Sequence, residues 1–425
     1  MVIVSWNSIS TLYTVKSTHP EINAKRLLGR LKVLGDIGRT RSGGVCRLAL
    51  TEEDRAGRDC VVAWMREAQL EIRVDQVGNI FGIRGGTLDA APVMSGSHLD
   101  TVRDGGILDG AYGVLAALEI IDALNDARFK TKRPLIVASF TNEEGVRFQS
   151  DMMGSLAHAG GISVESVLST VDSGKVSIRQ ALHDIGYAGE MDCGTIRPEA
   201  FVELHIEQGP VLEQDGVTIG AVENLQGISW SEISISGQSN HAGTTPMRLR
   251  HDAGYCAGAI TAFLRSLADR LGGSQVATVG QIELNPNVIN VIPGSARIMV
   301  DLRNTDDAIL GQAENALMEF VEDLQTKEGV SISTRTLARF APVHFSERIA
   351  RVIEKKAAGQ RLSCCRITSG AGHDAQMMSR ICDTGMIFVP SENGISHNPG
   401  EHTSDIHLVA GASVLLETLL DLSNT

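Results

Sequence analysis

Apolar side chains near the start of the chain follow a helical period and then a strand period. Residues 21–38 repeat apolar positions every three to four residues, as an amphipathic helix does. Thr51, followed by acidic residues, is typical of an N-cap and predicts a second helix that runs to about Gln69. Apolar and polar residues then alternate in 71–75 and 79–83, which predicts a pair of strands joined by a turn.

Four short apolar runs follow, and helical stretches such as 110–125 separate them. The runs are residues 91–95, 134–140, 201–205 and 386–390. Continuous apolar runs of this length are typical of strands that are buried on both faces. Their alternation with helices predicts an α/β fold with a mixed, mainly parallel central sheet flanked by helices.

The pattern changes between residues 222 and 339. There it predicts the order β-α-β-β-α-β, with strands at 228–236, 276–284, 296–303 and 330–337 and helices at 250–271 and 306–327. This order is that of a ferredoxin-like α+β layer, in which helices cover an antiparallel sheet. We therefore predict an inserted domain at 222–339 within a discontinuous domain formed by 21–221 and 340–425.

Composition and charge narrow the class of protein. Of 425 residues, 43% are hydrophobic and 21% are charged, which is ordinary for a globular protein. The net charge of −13 with no basic run argues against a nucleic-acid partner. The seven cysteines are scattered without a Cys-x-x-Cys pair, as in a reducing cytoplasm. The segment Met1–Asn7 is too short for a membrane span and lacks the basic start of a signal peptide, so we expect a cytoplasmic protein with no membrane partner.

Histidine and carboxylate residues follow the buried runs. In open α/β sheets, ligands bind outside the carboxyl ends of the strands, so these scattered side chains are expected to meet in one crevice. Imidazole and carboxylate groups suit a pair of zinc-like ions, and one further glutamate can remain off the metal to transfer protons. The candidates are His98, Asp109, Glu143, Glu144, His205 and His397.

Each of these residues has a commoner interpretation when it is taken alone. Asp109 resembles a surface Asp-Gly turn, the pair Glu143–Glu144 could be solvated, and His205 and His397 could be hydrogen-bonded core histidines. Their common position at the ends of buried strands favours a single metal site over these separate interpretations. Asp100, two residues after the first histidine, is predicted to hold that imidazole's other nitrogen with its carboxylate, as second-shell groups do in metal sites.

The inserted segment carries three polar candidates, His241, Asn290 and Arg303. An arginine on a sheet face is usually a surface residue whose stem packs on apolar neighbours. The functional alternative is a bidentate clamp for a substrate carboxylate. Further along, the Gly-rich loop 369–374 lacks the spacing of a phosphate-binding loop.

Together these segments closely resemble the hydantoinase/carbamoylase family of binuclear amidohydrolases, over about residues 25–422. That family includes N-carbamoyl-L-amino acid hydrolases, β-ureidopropionases, allantoate amidohydrolases and ureidoglycolate amidohydrolases, and it is related to aminoacylases and zinc exopeptidases. The most specific stretches are Gly96-Ser-His-Leu-Asp-Thr, Thr141-Asn-Glu-Glu-Gly-Val-Arg-Phe, Glu203-Leu-His-Ile-Glu-Gln-Gly-Pro, His241-Ala-Gly-Thr-Thr-Pro-Met and Ser369-Gly-Ala-Gly-His-Asp-Ala.

The resemblance implies a role for each matching position. It implies two divalent ions per subunit, zinc first, with manganese, cobalt or nickel as alternatives. One ion is held by His98, Asp109 and His205, and the other by Glu144, His397 and the shared Asp109. Glu143 is then the catalytic base, and the residues expected to contact substrate or line the site are Gln208, His241, Asn290, Arg303, Gly372 and His373.

The same resemblance implies an activity and an assembly. The expected reaction is hydrolysis of the carbamoyl (ureido) C–N bond of an N-carbamoyl-L-amino acid, with the inserted domain as a lid and homodimer interface. Allantoate, ureidoglycolate and N-carbamoyl-β-alanine remain alternative substrates. An aminoacylase or dipeptidase is a more distant alternative. A non-enzymatic carboxylate-binding protein is an alternative of a different class. Such a protein would be expected to have lost a metal ligand or Glu143, and this chain retains all of them.

Overall fold

The structure, a computed structural model, describes residues 19–425, so the segment Met1–Asn7 lies outside the described residues. The described strands are β1 Glu71–Val74, β2 Ile80–Arg84, β3 Val93–His98, β4 Leu135–Phe140, β5 Ala200–Ile206, β6 Ile219–Leu225, β7 Gly227–Ser236, β8 Asn240–His241, β9 Val276–Asn285, β10 Val291–Ile292, β11 Ser295–Asn304, β12 Ser331–Phe340, β13 Val343–His344, β14 Cys364–Ser369 and β15 Asp383–Val389.

The α-helices of the described residues are α1 Ala24–Gly35, α2 Glu52–Glu67, α3 Ala111–Asp126, α4 Met153–His158, α5 Val164–Ser169, α6 Ile178–Asp184, α7 Val211–Asp215, α8 Ala253–Leu271, α9 Asp307–Glu328, α10 Glu347–Gly359, α11 Asp374–Met378 and α12 Asp405–Asn424. The Thr51 side chain caps α2 by accepting the backbone N–H of Asp54, as the sequence predicts.

A nine-stranded mixed sheet forms the larger layer. Its order is β1-β2-β4-β3-β5-β15-β6-β13, with β14 also paired to β6. The four central strands β4, β3, β5 and β15 are parallel to one another, and antiparallel pairs occur towards the edges. The predicted α/β fold with a mainly parallel centre is therefore confirmed.

Both faces of this sheet are buried. Within β3, Val93 packs into a cluster with α1, α3 and α12, whereas Met94 packs into a second cluster on the opposite face. Successive residues of a strand point to opposite faces, so a strand covered on both sides is apolar at every position. The apolar runs thus mark the centre of the sheet.

Helix α12 is long and apolar enough to cross a membrane, by length and composition alone, but 67% of its most apolar stretch is buried. It packs against α3, α10, β5 and β15. Its apolar character is that of a core helix.

A four-stranded antiparallel sheet, in the order β12-β7-β11-β9, forms the smaller layer. Helices α8 and α9 pack on it, and Ile233, Ile298 and Leu317 belong to its separate core. Residues 222–225 belong to β6 of the larger sheet, so the division that the sequence indicates at residue 222 is several residues early. Only Gln226 separates β6 from β7, and therefore no turn residue marks the change of sheet.

Candidate metal centre

Two histidines lie on neighbouring parallel strands at the same edge of the larger sheet. His98 is the last residue of β3, and His205 is near the end of β5. Asp109, in the turn before α3, projects between them. Its Oδ1 atom lies 3.6 Å from His98 Nε2 and 3.2 Å from His205 Nε2. All three side chains are buried.

The hydrogen bonds of the two imidazoles fix where their protons are. His98 Nδ1 lies 2.8 Å from the Asp100 carbonyl oxygen, and His205 Nδ1 lies 2.9 Å from the Ile206 carbonyl oxygen. A carbonyl can only accept, so in the neutral imidazoles both Nδ1 atoms carry the hydrogen and both Nε2 atoms present lone pairs to Asp109. Three acceptors that converge in this way fit a divalent cation of the zinc type.

A second group shares the same aspartate. Asp109 Oδ2 lies 3.2 Å from His397 Nε2, which lies 3.6 Å from Glu144 Oε2. The other oxygen of Glu144 is buried without a hydrogen-bond partner. The ligand atoms of His98, Asp109 and His205 lie within 4.8 Å of one another, as do those of Asp109, Glu144 and His397. The donor set therefore fits two ions bridged by Asp109.

Gly110 allows the chain to pass directly beside the first histidine. It has a φ of +64°, in the left-handed region that favours glycine. A Cβ atom at this position would lie 2.4 Å from Cε1 of the His98 ring. The glycine of the Leu-Asp-Gly sequence is therefore required by the nearby His98 ring, a constraint that a surface turn would not impose.

Asp100 is placed differently from the prediction. Its backbone carbonyl accepts from His98, while its carboxylate accepts the backbone N–H groups of Glu143 and Glu144 at 3.3 and 3.2 Å. The prediction of a hydrogen bond between the Asp100 carboxylate and the His98 ring is wrong, because the backbone carbonyl of Asp100 occupies the ring's Nδ1 position instead. The carboxylate instead orients the loop that carries the two glutamates.

The pKa values of the two glutamates are raised. Burial raises the pKa of Glu143 well above its ordinary value, although His98, 3.4 Å away, opposes the shift. Burial and the nearby Asp109 carboxylate raise the pKa of Glu144 to about 8. For His98, burial lowers the pKa, but Glu143 and Asp109 outweigh burial and hold the pKa well above the usual range. The site thus brings carboxyl groups together where their charged forms are poorly solvated.

A cavity of about 150 Å³ opens onto these groups. Three residues predicted to line the site, Gln208, Gly372 and His373, are in its wall. Gln208 donates to Asp109 Oδ2 at 2.9 Å, and His373 Nε2 lies 3.1 Å from the Ser369 hydroxyl. The cavity is lined by His98, Asp109, Glu143, Glu144, Asp151, Gln208, Ala371, Gly372, His373 and His397.

The three candidates of the smaller layer lie outside this wall, as far as the described residues show. His241 is exposed on β8, which pairs with β10, and the Ala242 N–H donates to the Asn290 carbonyl at 3.0 Å. Arg303 makes a bidentate contact with Asp301, from Nε to Oδ1 and from Nη2 to Oδ2, and donates to the Gly370 carbonyl at 2.7 Å. Arg303 therefore links the two layers at the Gly-rich loop.

Glu401 is a site residue that the sequence reasoning missed. Its Oε1 accepts the backbone N–H groups of Leu108 and Asp109 at 3.0 and 3.2 Å, and its Oε2 accepts the Ser396 hydroxyl at 2.9 Å. It thereby joins the Asp109 turn to the loop that carries His397. The signal that could have indicated it is its spacing, four residues after that histidine in the same loop.

The sequence pattern of the Peptidase family M20/M25/M40 matches residues 94–421. An N-carbamoyl-L-amino acid amidohydrolase of Geobacillus stearothermophilus is 38% identical over 409 residues, 95% of this chain and 99% of that protein. An allantoate amidohydrolase of Bacillus subtilis is 36% identical over 393 residues, 92% of this chain and 95% of that protein.

A solved structure shows the same fold. The crystal structure of an amidase of the hydantoinase/carbamoylase family from Burkholderia multivorans matches with a TM-score of 0.93 and 41% identity, and covers 95% of this chain and 99% of that one. Because the likeness extends over nearly the whole length of each protein, the chain belongs to the Peptidase family M20/M25/M40 and, within it, to the hydantoinase/carbamoylase amidases.

Proposed function

We propose that this protein hydrolyses the carbamoyl C–N bond of an N-carbamoyl-L-amino acid and releases the amino acid, carbon dioxide and ammonia. The observation that carries the proposal is the set of acceptors around Asp109, where bare imidazole nitrogens and carboxylate oxygens face one another beside Glu143. Relatives named N-carbamoyl-L-amino acid amidohydrolases match nearly the whole chain, which supports this substrate class.

The ligand set would hold two divalent ions, for which we propose zinc and keep manganese, cobalt and nickel as alternatives. When bound, the ions supply Lewis acidity to the substrate carbonyl and acidify a water molecule. Glu143 takes the proton of that water and returns it to the leaving nitrogen. Asp100 keeps the Glu143–Glu144 loop in place through two backbone hydrogen bonds.

Substrate recognition is assigned to both layers. Gln208, Gly372 and His373 line the cavity. Arg303 would bind the substrate carboxylate as a planar clamp after exchanging its contacts with Asp301 and the Gly370 carbonyl. His241 would stabilise the oxyanion, with Asn290 beside it on the paired strands. His241 and Asn290 are both exposed, so to reach the substrate the smaller layer must close over the cavity, or the smaller layer of a second subunit must cover it.

A second candidate substrate is allantoate. Relatives named allantoate amidohydrolases from two bacteria match at 35–36% identity, close to the values for the carbamoyl-amino acid enzymes. The ligand set serves either ureido acid. A panel of N-carbamoyl-α-amino acids, N-carbamoyl-β-alanine, allantoate and ureidoglycolate, with ammonia release as the readout, distinguishes them.

The base is tested with Glu143→Gln, which keeps the shape of the side chain and removes its basicity. We expect a loss of about 10²–10⁴-fold in kcat with metal content unchanged. Glu165→Gln, at an exposed position, serves as the control. Near-full turnover by Glu143→Gln would overturn the role of the base. Hydrolysis of N-acetyl amino acids or dipeptides, with no ammonia from any ureido acid, would overturn the substrate class.

We also propose a cytoplasmic homodimer joined through the smaller layer. Large apolar side chains are exposed there, among them Met247, Tyr255 and Ile289, and exposed apolar patches of this kind favour protein contacts. The cysteines of the described residues are free thiols, which suits a reducing compartment. Light scattering should give twice the chain mass, and Ile289→Asp should reduce it to one chain.

A further inference from the structure

A second group of metal-type ligands lies away from the cavity. Asp75 follows β1, His158 is the last residue of α4, and Cys193 is in the loop before β5. One ligand atom from each side chain lies within 4.8 Å of the other two. Asp75 and His158 are fully buried and Cys193 is partly buried. None of the three residues has a part in the hydrolytic mechanism.

The imidazole of His158 has a lone pair without a partner. Its Nε2 lies 2.9 Å from the Ile196 carbonyl oxygen, which can only accept, so Nε2 carries the hydrogen. Burial lowers the pKa of His158 to about 4, so the ring is neutral at physiological pH and Nδ1 is bare. Nδ1 is buried, makes no hydrogen bond, and lies 4.0 Å from Asp75 Oδ2. Two acceptors therefore face each other.

The Asp75 carboxylate is fixed in place by donors on its other sides. Its Oδ1 accepts the backbone N–H groups of Val77 and Asn79, both at 3.0 Å. Its Oδ2 accepts the Asn79 amide at 2.8 Å. These bonds orient the carboxylate so that Oδ2 also faces the imidazole. A buried carboxylate held in this way is a preorganised ligand.

The third ligand is brought in by a tight turn. Gly194 follows Cys193 with a φ of +79°, and a Cβ atom there would lie 2.9 Å from the His158 carbonyl oxygen. Only glycine allows this approach of the loop to α4. Burial and the Asp75 carboxylate, to which the thiol donates, raise the pKa of Cys193. Because the Cys193 thiol donates its proton to Asp75, the lone pair on His158 Nδ1 still has no partner.

We propose that Asp75, His158 and Cys193 form a third metal site, which binds one zinc-type divalent ion. Nitrogen, oxygen and thiolate donors suit this class of ion, and a water completes a tetrahedral set. On binding, the Cys193 thiol releases its proton to solvent and its sulfur forms the bond to the metal, while Asp75 and neutral His158 donate without proton loss.

The site is connected to the hydrolytic centre through one side chain. Besides Asp75, Asn79 contacts the chain on either side of the catalytic loop. Its Oδ1 accepts the Thr141 N–H at 3.0 Å, and its Nδ2 donates to the Gly154 carbonyl at 3.0 Å. Thr141 is two residues before Glu143. An ion at the third site therefore stabilises the segment that positions the catalytic base.

Cobalt substitution tests the site alone, because the binuclear centre has no thiol ligand. The protein loaded with Co²⁺ should show a thiolate-to-cobalt charge-transfer band in the near ultraviolet. Cys193→Ser should abolish that band, and the control Cys382→Ser, also partly buried, should keep it. This readout is independent of turnover, so it can fail while the proposed hydrolysis holds, and the reverse.

Metal content gives the second measurement. Zinc bound per chain should fall by one equivalent in Cys193→Ser and in His158→Gln, relative to the wild-type protein. Absence of the cobalt band in the folded wild-type protein at saturating Co²⁺ overturns the site, whatever the variants do. A band that survives Cys193→Ser, or that disappears in Cys382→Ser instead, also overturns it.

Discussion

Replacing Glu401 with alanine removes a carboxylate that joins two loops of the metal centre. The Leu108 and Asp109 backbone N–H groups lose their acceptor, and the Ser396 hydroxyl loses its partner. A buried N–H left without an acceptor costs about 1–3 kcal/mol, so the two together cost about 2–6 kcal/mol of unfolding free energy. The Asp109 turn also loses its attachment, and a displacement of about 1 Å costs about 10²-fold in rate.

Glu401→Gln separates acceptor loss from charge loss. A glutamine carbonyl oxygen can replace Oε1, so both backbone hydrogen bonds persist. Hydrogen bonds to a neutral acceptor are weaker, and we expect a loss of about 1–2 kcal/mol. Burial and repulsion from the Asp109 carboxylate raise the pKa of Glu401. The glutamine variant removes this repulsion, which offsets part of the loss in unfolding free energy.

Urea unfolding followed by circular dichroism gives the stability of both variants, and ammonia release gives the rate. The expected order is wild type, then glutamine, then alanine in both measurements. If the unfolding free energy of Glu401→Ala is within about 0.5 kcal/mol of the wild-type value and its rate of ammonia release is unchanged, the two backbone hydrogen bonds do not hold the loops in position.

Three further outcomes follow from the packing. Arg58→Met leaves the buried Asp54 carboxylate without its guanidinium, 2.8 Å away, and should lower the unfolding free energy in urea by about 3–5 kcal/mol; an unchanged midpoint would contradict this. Gly110→Ala should prevent metal loading of the centre around Asp109, because the new methyl overlaps His98, and titration calorimetry should no longer detect the two zinc ions assigned to that centre. Burial lowers the pKa of His158 to about 4 from 6.5, so the unfolded chain binds the extra proton between these values. Stability of the chelator-treated protein should fall as pH decreases through that window. His158→Gln should show a smaller slope in thermal melts, because burial also lowers the pKa of His373 and His407, which remain.

The sequence patterns predict six strands of the larger sheet, β1 to β5 and β15, and the four strands of the smaller sheet, because each of these strands has a regular pattern of burial. Strands β6, β13 and β14 of the larger sheet were not predicted. Helix α12 was not predicted, since it is apolar on nearly every side and has no amphipathic period. The end of the larger sheet at Leu225 was also missed, because β6 runs into β7 across a single residue.

The candidate ligands could be found from sequence because they follow buried strands, and the ends of parallel strands meet at one edge. The hydrogen bonds that orient them could not. His98 and His205 are oriented by backbone carbonyls, which every residue carries, so no side-chain pattern identifies them. The same holds for Glu401, whose partners are mostly backbone N–H groups.

The position of β15 has a consequence for biosynthesis. It pairs with β5 on one side and β6 on the other, yet it is the last strand to leave the ribosome. Until residue 389 is synthesised, β5 and β6 each present an open edge in the middle of the nascent sheet, and such edges invite aggregation. Ribosome-bound chains that stop before residue 383 should therefore depend on chaperones and bind no pair of ions, because His397 has not yet been made.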